Sequence, residues 1–250
     1  LNVGIATLLA SNANSNYEVQ GDAAVIEVDE LTLYRQFKNL HPTILVVNNF
    51  FRDQLDRAGE METIIRKIQE VTKDFTGDII LNGDDPNTLR IQDTALKARI
   101  HTFSVDRNEV SKDKTDEASE GKFCPRCGKP LKYSYYQYSH IGRFNSIYAI
   151  YNCACTLTVM KTLKLDFNAA NEVFQSFVMK EGRNEVYQLK KPSVINLVKN
   201  PTGANEVMKY IIARPGDKNI CIFLNDNDQD GHDVSWIWDA HYRLFWITCI

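Results

Sequence analysis

Acidic and amide side chains crowd the ends of three short apolar runs. Glu27, Asp29 and Glu30 end or follow residues 23–28, Asn49, Asp53 and Asp56 follow residues 43–48, and Asn82, Asp84 and Asp85 end or follow residues 78–82. If the runs are strands of one parallel sheet, these groups emerge at a single edge, where open α/β sheets bind their ligands. Oxygen donors gathered there suit magnesium and a nucleotide, because Mg²⁺ takes a few carboxylate oxygens and completes its shell with water and phosphate. The same residue types are also favoured as helix N-caps and in turns, with no ligand at all. Both readings fit the sequence.

Sulfur offers a second chemistry. Cys124-Pro-Arg-Cys127 followed by Gly128 has the spacing at which a tight turn presents two thiolates to one tetrahedral zinc ion, and a structural zinc site needs four ligands. Cys153 and Cys155 could supply the second pair on spacing alone. The alternative, and the favoured one, puts both on an apolar helix as small buried residues. Six cysteines in 250 residues are too few and too uneven for a disulfide scaffold, which points to a reducing compartment.

The elements that must position these groups follow an α/β rhythm. Residues 23–28, 43–48 and 78–82 are β-branched or apolar runs, and between the last two Ile64, Ile65, Ile68, Val71 and Phe75 recur at helical spacing. The alternation predicts βαβ units and a mainly parallel sheet. Helices are expected over 147–165 and 169–180. After Gly182-Arg183 the rhythm resumes, with strands over 194–198 and 220–224 around a helix over 204–213, as a second, smaller α/β lobe. Residues 106–121 hold nine charged side chains in sixteen, one Val and no aromatic, so that stretch cannot bury enough surface to fold alone.

The whole chain is 44% apolar and 24% charged, with 29 basic against 32 acidic residues for a net charge of −3. This composition excludes disorder, collagen-like repeats and coiled coil. No basic run marks a nucleic-acid partner, and no apolar stretch approaches the roughly 20 residues that span a bilayer. Leu1 is not an initiator Met and no basic n-region precedes the first apolar run, so a signal peptide is not expected. The expectation is a cytoplasmic protein.

Three motifs carry a resemblance. Ile26-Glu-Val-Asp-Glu30, Asn48-Asn-Phe-Phe-Arg-Asp-Gln-Leu-Asp-Arg-Ala-Gly59 and Leu81-Asn-Gly-Asp-Asp-Pro86 resemble the central ATPase domain of the Mur ligase family. Tyr151-Asn152, Gly182-Arg183, Asn196-Leu-Val-Lys-Asn-Pro-Thr-Gly203 and the segment from Leu224 to Asp239 are similar to the family's later regions. Gln54, where many relatives have His, and the Cys124 knuckle point to the branch that amidates its substrate rather than adding an amino acid.

The resemblance implies ATP-dependent amidation. ATP would activate the α-carboxylate of D-glutamate in the lipid II stem peptide as an acyl phosphate, and ammonia from a glutaminase partner, GatD, would displace the phosphate to give D-isoglutamine at the inner face of the membrane. Glu27 would help hold magnesium and phosphate, and Asn82 and Asp85 would sit near the nucleotide. Asn49, Asp53 and Asp56 would line the acyl-phosphate chemistry. Arg183, Lys199 and Asn200 would come to the nucleotide from the second lobe. Asp233 would complete the partner's Cys/His pair as the third member of a composite triad.

The domain plan that follows is a central ATPase domain over 1–105 and 145–180, a charged linker and half zinc ribbon over 106–144, and a C-terminal α/β domain over 181–250. No glycine-rich phosphate loop with Lys and Thr stands in the 250 residues, and no second zinc knuckle is evident. The tail after Asp239 departs from the family. A non-catalytic module that docks the glutaminase is therefore the alternative, with another Mur-type amino-acid ligase behind it.

Overall fold

A computed structural model of the chain describes residues 3–50, 61–108, 111, 113, 123–135, 147–177, 182–225, 234–240 and 242. Its centre is a parallel sheet in the order β1 (Ile44–Val47), β2 (Asp78–Asn82), β3 (Arg99–Phe103). Val46 pairs with Ile80, and Ile80 with His101. Every residue of β2 is buried, as expected of the middle strand of a parallel sheet covered on both faces.

Alternation along β2 sends its side chains to two different cores. Ile79 and Leu81 face a cluster with Leu45 and Val47, Leu33 and Phe37 of α2 (Glu30–Leu40), and Ile64, Ile65 and Ile68 of α3 (Met61–Thr72). Ile80 faces the other way, onto Phe103 and Cys155 of α4 (Ile147–Thr162). The apolar spacing in α3 therefore falls where the sequence places it, although the helix stops at Thr72 and Phe75 packs edge-on against Phe37 with ring centroids 5.4 Å apart. Each fully buried Ile in these clusters contributes about 1.5–3 kcal/mol relative to solvent exposure.

Helix α2 starts at a sequence-legible stop. Asp29 has extended backbone and its carboxylate accepts from the amides of Leu31 and Thr32 at 3.1 and 2.9 Å. Partial burial works against the charged form, but the bonds from Thr32 and Leu31 outweigh it and hold the carboxyl below its ordinary range. Asp29→Ala is expected to cost about 1 kcal/mol, the usual loss for an acidic N-cap. A urea midpoint identical to the parent's would count against that role.

Two expected strands are not strands. Residues 23–28 belong to no strand and pair with none, with Val25 at 94% exposure. Residues 220–224 are likewise unpaired, with Phe223 at 93% exposure. A strand needs a neighbour for its ladder of hydrogen bonds, and among the described residues neither segment has one.

The later part of the chain keeps an α/β alternation, with its two strands antiparallel. After α5 (Phe167–Ser176), β4 (Arg183–Gln188) and β5 (Pro192–Asn196) form an antiparallel hairpin with a register shift between Arg183 and Glu185. Helix α6 (Pro201–Ala213) follows, with Ala204 and Met208 packed on Ala240, Trp236 and Tyr242. Helix α1 (Val3–Ser11) precedes the sheet in the chain. No described helix is long and apolar enough to cross a membrane.

Candidate functional site at the carboxyl edge of the sheet

The loops after β1, β2 and β3 are tied together at one edge by the side chains of the Asn82-Gly-Asp-Asp85 turn. Asn82 is buried, and its Oδ1 accepts from the Asp84 amide at 2.9 Å. Its carbonyl accepts from the buried Thr88 hydroxyl at 2.6 Å. Asp85 reaches to the loop after β1: one carboxylate oxygen accepts from the Phe50 amide at 3.0 Å, and the other accepts from the Asn87 amide at 2.8 Å.

Asp84 reaches the other way. Its Oδ2 accepts from the Val105 amide at 3.0 Å and from the Tyr151 hydroxyl at 2.7 Å, joining the end of β3 and the start of α4. The Tyr135 hydroxyl donates to the Val105 carbonyl at 3.0 Å. Gly83 lets this turn lie close to β3, since its amide donates to the Phe103 carbonyl at 2.7 Å and a Cβ would stand 3.2 Å from that oxygen. Burial of Tyr151 and the neighbouring Asp84 carboxylate push its phenol well above the ordinary range, so it stays protonated and donates.

Tyr151→Phe tests that link. The ring and its edge-on contact with Phe103, at 6.5 Å between centroids, are kept while the donor is lost. A destabilisation of about 1 kcal/mol is expected, with faster hydrogen exchange at the Val105 amide. Unchanged exchange there would remove Tyr151 from the link.

The sequence-derived candidates distribute unevenly over this geometry. Asn82, Asp85 and Asn49, next to Phe50, come together at the edge. Glu27 is exposed and lines a different feature, a cleft of about 200 Å³ between α1 and α2 with Ile5, Leu8 and Asp29. Because residues 23–28 are not a strand, the first of the three expected strand-end clusters does not exist as such. Asp53 and Asp56, and Asp233 with the loop around it, lie outside the described residues.

Asn200 is half-buried and caps α6, its Oδ1 accepting from the Gly203 amide at 2.8 Å, while Lys199 beside it is exposed. Arg183 opens β4. Two residues with a defined place at the edge carried no assigned role in the sequence: Asp84 stood only in the group of strand-end oxygen donors, and Tyr151 only in the Tyr151-Asn152 motif. The Asn-Gly-Asp-Asp run carried the signal for Asp84, whereas nothing local says that Tyr151, 67 residues away in the chain, meets it.

Neither expected metal has a cage in these side chains. Among the described residues no three His, Cys, Asp or Glu gather as a cation site, and the described hydrogen bonds of Asn82, Asp84 and Asp85 are spent on ordering the turn. Glu27 and the described edge residues do not gather as a cation site, and Asp53 and Asp56 of the expected magnesium set lie outside the described residues. Cys124 and Cys127 do form a knuckle: the Cys124 carbonyl accepts from Gly128 and the Cys124 amide donates to Lys129, both at 2.8 Å, and Arg126 pairs with Asp93. Amide bonds from Arg126 and Cys127 hold the Cys124 thiol below its ordinary range.

Cys153 and Cys155 do not complete that knuckle. Both lie on α4, where Cys155 is buried between Ile80 and Phe103 and its thiol is pushed up to about 11 by burial. Cys153 is half-buried, and burial raises its thiol as well. A thiol embedded in the sheet–helix core is unavailable to a surface turn, so the helix reading holds and a four-cysteine zinc site is not formed.

The fold and its edge define a class: a parallel α/β domain with helices on both faces of the sheet and side-chain-braced loops at the carboxyl ends of its strands. Residues 2–160 match the Mur ligase middle domain, and residues 197–246 match the MurT ligase C-terminal family. The chain belongs to the Mur ligase family.

The MurT subunit of lipid II isoglutaminyl synthase (glutamine-hydrolyzing) from Staphylococcus aureus strain COL is 30% identical over 88% of this chain and 58% of its own length. The subunit of the same name from Streptococcus pneumoniae R6 is 27% identical over 96% of this chain and 62% of its own length. The chain thus spans about three fifths of the curated relatives it matches. Crystal structure I of MurF from Acinetobacter baumannii superposes with a TM-score of 0.52 at 16% identity, covering 74% of this chain and 40% of that one. That likeness is one of fold.

Proposed function

We propose that this chain is the ligase-like part of an amidating enzyme of peptidoglycan synthesis. Its substrate is the lipid II stem peptide at the inner face of the membrane, and its product carries D-isoglutamine in place of D-glutamate. The observation that supports this most is the joint presence of a Mur ligase middle domain and a MurT C-terminal region, with the relatives' similarity covering 88% and 96% of this chain.

In this reading the γ-phosphoryl group passes from ATP to the α-carboxylate and ADP leaves; ammonia then attacks the acyl phosphate, loses a proton, and inorganic phosphate leaves. Joining ATP to a carboxylate brings two anions together, which needs cationic or metal help, and Mg²⁺ would supply it when bound with the nucleotide. The part assigned to the described residues is positioning. Asp85 holds the loops after β1 and β2 beside one another, Asn82 orders the turn between them, Asp84 and Tyr151 fasten α4 to the same turn, and Asn49 is assigned to the acyl phosphate. Lys199 and Arg183 are assigned to the nucleotide's phosphates, Asp53 and Asp56 to the acyl-phosphate chemistry, and Asp233 to the glutaminase, GatD.

The test is co-expression of the chain with the glutaminase and assay of lipid II amidation, first with glutamine and then with free ammonia. Amidation with ammonia alone places the ligase chemistry in this chain. Complex formation without amidation from either nitrogen source would replace the reading with a docking module, and absence of both would reject it.

A further inference from the structure

At the opposite end of the same sheet, where the strands begin, lies a cleft of about 600 Å³ between β2, β3 and the last turns of α4. Asp78, Arg99, His101, Lys161, Thr162 and Lys164 line it. Asp78 lies four residues before Asn82 on one strand, so the cleft is about 13 Å from the carboxyl-edge turn at ~3.3 Å per residue.

The cleft has an excess of positive charge that its own carboxylate does not absorb. Asp78 is nearly buried and triply engaged: Arg99 Nε and one of its terminal nitrogens donate to the two oxygens at 2.9 and 2.6 Å, and His101 Nε2 stands 2.7 Å from Oδ1. Lys161 and Lys164 are exposed, and neither ammonium group has a hydrogen bond or ion pair among the described residues. Arg99, Lys161 and Lys164 against Asp78 make three positive charges to one negative with His101 neutral. The Thr158 and Thr162 hydroxyls donate to the carbonyls of Ala154 and Thr158 in α4, which leaves recognition to the cations.

Lys161 in the last turn of α4, and Lys164 two residues beyond its end, also complement the helix dipole. That accounts for their charge but not for their convergence with Arg99 and His101 around a cleft of this size. We propose that the cleft binds a phosphate-bearing anion, through the Lys161 and Lys164 ammonium groups and the outward edge of the Arg99 guanidinium. A planar guanidinium presents five donors, so Arg99 can hold Asp78 and still meet a phosphoryl oxygen. The phosphate can belong to a soluble anion or to a lipid headgroup, and the site is separate from the amidation edge.

The test uses the full chain at low ionic strength with two probes, inorganic pyrophosphate by calorimetry and phosphatidylglycerol vesicles by co-sedimentation, with phosphatidylcholine vesicles as the uncharged reference. Lys161→Ala combined with Lys164→Ala is expected to weaken binding at least tenfold. Lys190→Ala combined with Lys191→Ala, on the exposed turn between β4 and β5, is expected to leave it unchanged. Both pairs are on the surface, so an unchanged thermal midpoint confirms that folding is intact. Binding of pyrophosphate with this lysine dependence assigns a soluble anion, and binding of the anionic vesicles alone with the same dependence assigns a headgroup. Binding of neither probe, or equal weakening by the two lysine pairs, overturns the proposal.

Discussion

Gly77→Ala is expected to destabilise the chain by about 3 kcal/mol, toward the upper end of the cost of forcing an atom into a packed site. Gly77 stands immediately before β2, and a Cβ there would run into the Thr43 carbonyl oxygen and the Phe75 ring. Phe75 could turn aside, at the expense of its contact with Phe37. Thr43 cannot, because the Asp78 amide donates to that same carbonyl at 3.0 Å, and the Gly77 carbonyl accepts from Arg99 at 3.0 Å. The extra methyl therefore acts on the entry of the central strand and on both its neighbours. Urea unfolding should show a lower midpoint with an unchanged slope. A change of less than about 0.5 kcal/mol, the range of an ordinary surface substitution, would mean that the backbone yields there and the close approach is not a constraint.

Asp85→Ala is expected to be the most damaging change at the carboxyl edge. It removes the acceptor for the Phe50 and Asn87 amides together, and a partly buried donor left without its partner costs about 1–3 kcal/mol. The functional effect should exceed the structural one. Phe50 is itself buried, and its amide bond to Asp85 connects the loop after β1 to the turn after β2. Loss of that connection is expected to reduce amidation by the reconstituted complex at least tenfold, with faster exchange at the Phe50 amide. Asp85→Asn keeps one accepting oxygen and should fall between the variant and the parent. Full amidation by Asp85→Ala in a stably folded complex would remove Asp85 from the site.

Much of this architecture was legible because its signals are local. The N-cap at Asp29 and the apolar stripe of α3 can be read from a few consecutive residues, and so can the burial of residues 79–81. The Asn82-Gly-Asp-Asp85 turn was legible as a cluster of oxygen donors. What those donors do was not, since the two readings of them, ligand and turn, use the same residue types. In the structure Asp85 accepts from the Phe50 and Asn87 amides, and Asp84 from the Val105 amide and the Tyr151 hydroxyl, so both brace the turn at the edge.

The errors share a cause. Residues 23–28 and 220–224 have the composition of strands, yet composition does not supply a neighbour. Cys153 and Cys155, by contrast, lie on α4 as the favoured reading has it, with Cys155 in the core, although their spacing alone also allowed ligands.

The sequence alone was enough for α3 to α6, for β1 and β2 and for the family, since each rests on side chains within a few turns of the chain or on motifs read in order, whereas α1, α2 and β3 were not among the expected elements. Only the tertiary structure decided which apolar runs pair and which cysteine is buried. It also decided that Tyr151 meets Asp84 and that Arg99 and His101 meet Asp78 beside Lys161 and Lys164. Those contacts join residues tens of positions apart, and their existence depends on how strands stack and on which face a helix covers, which no local pattern encodes.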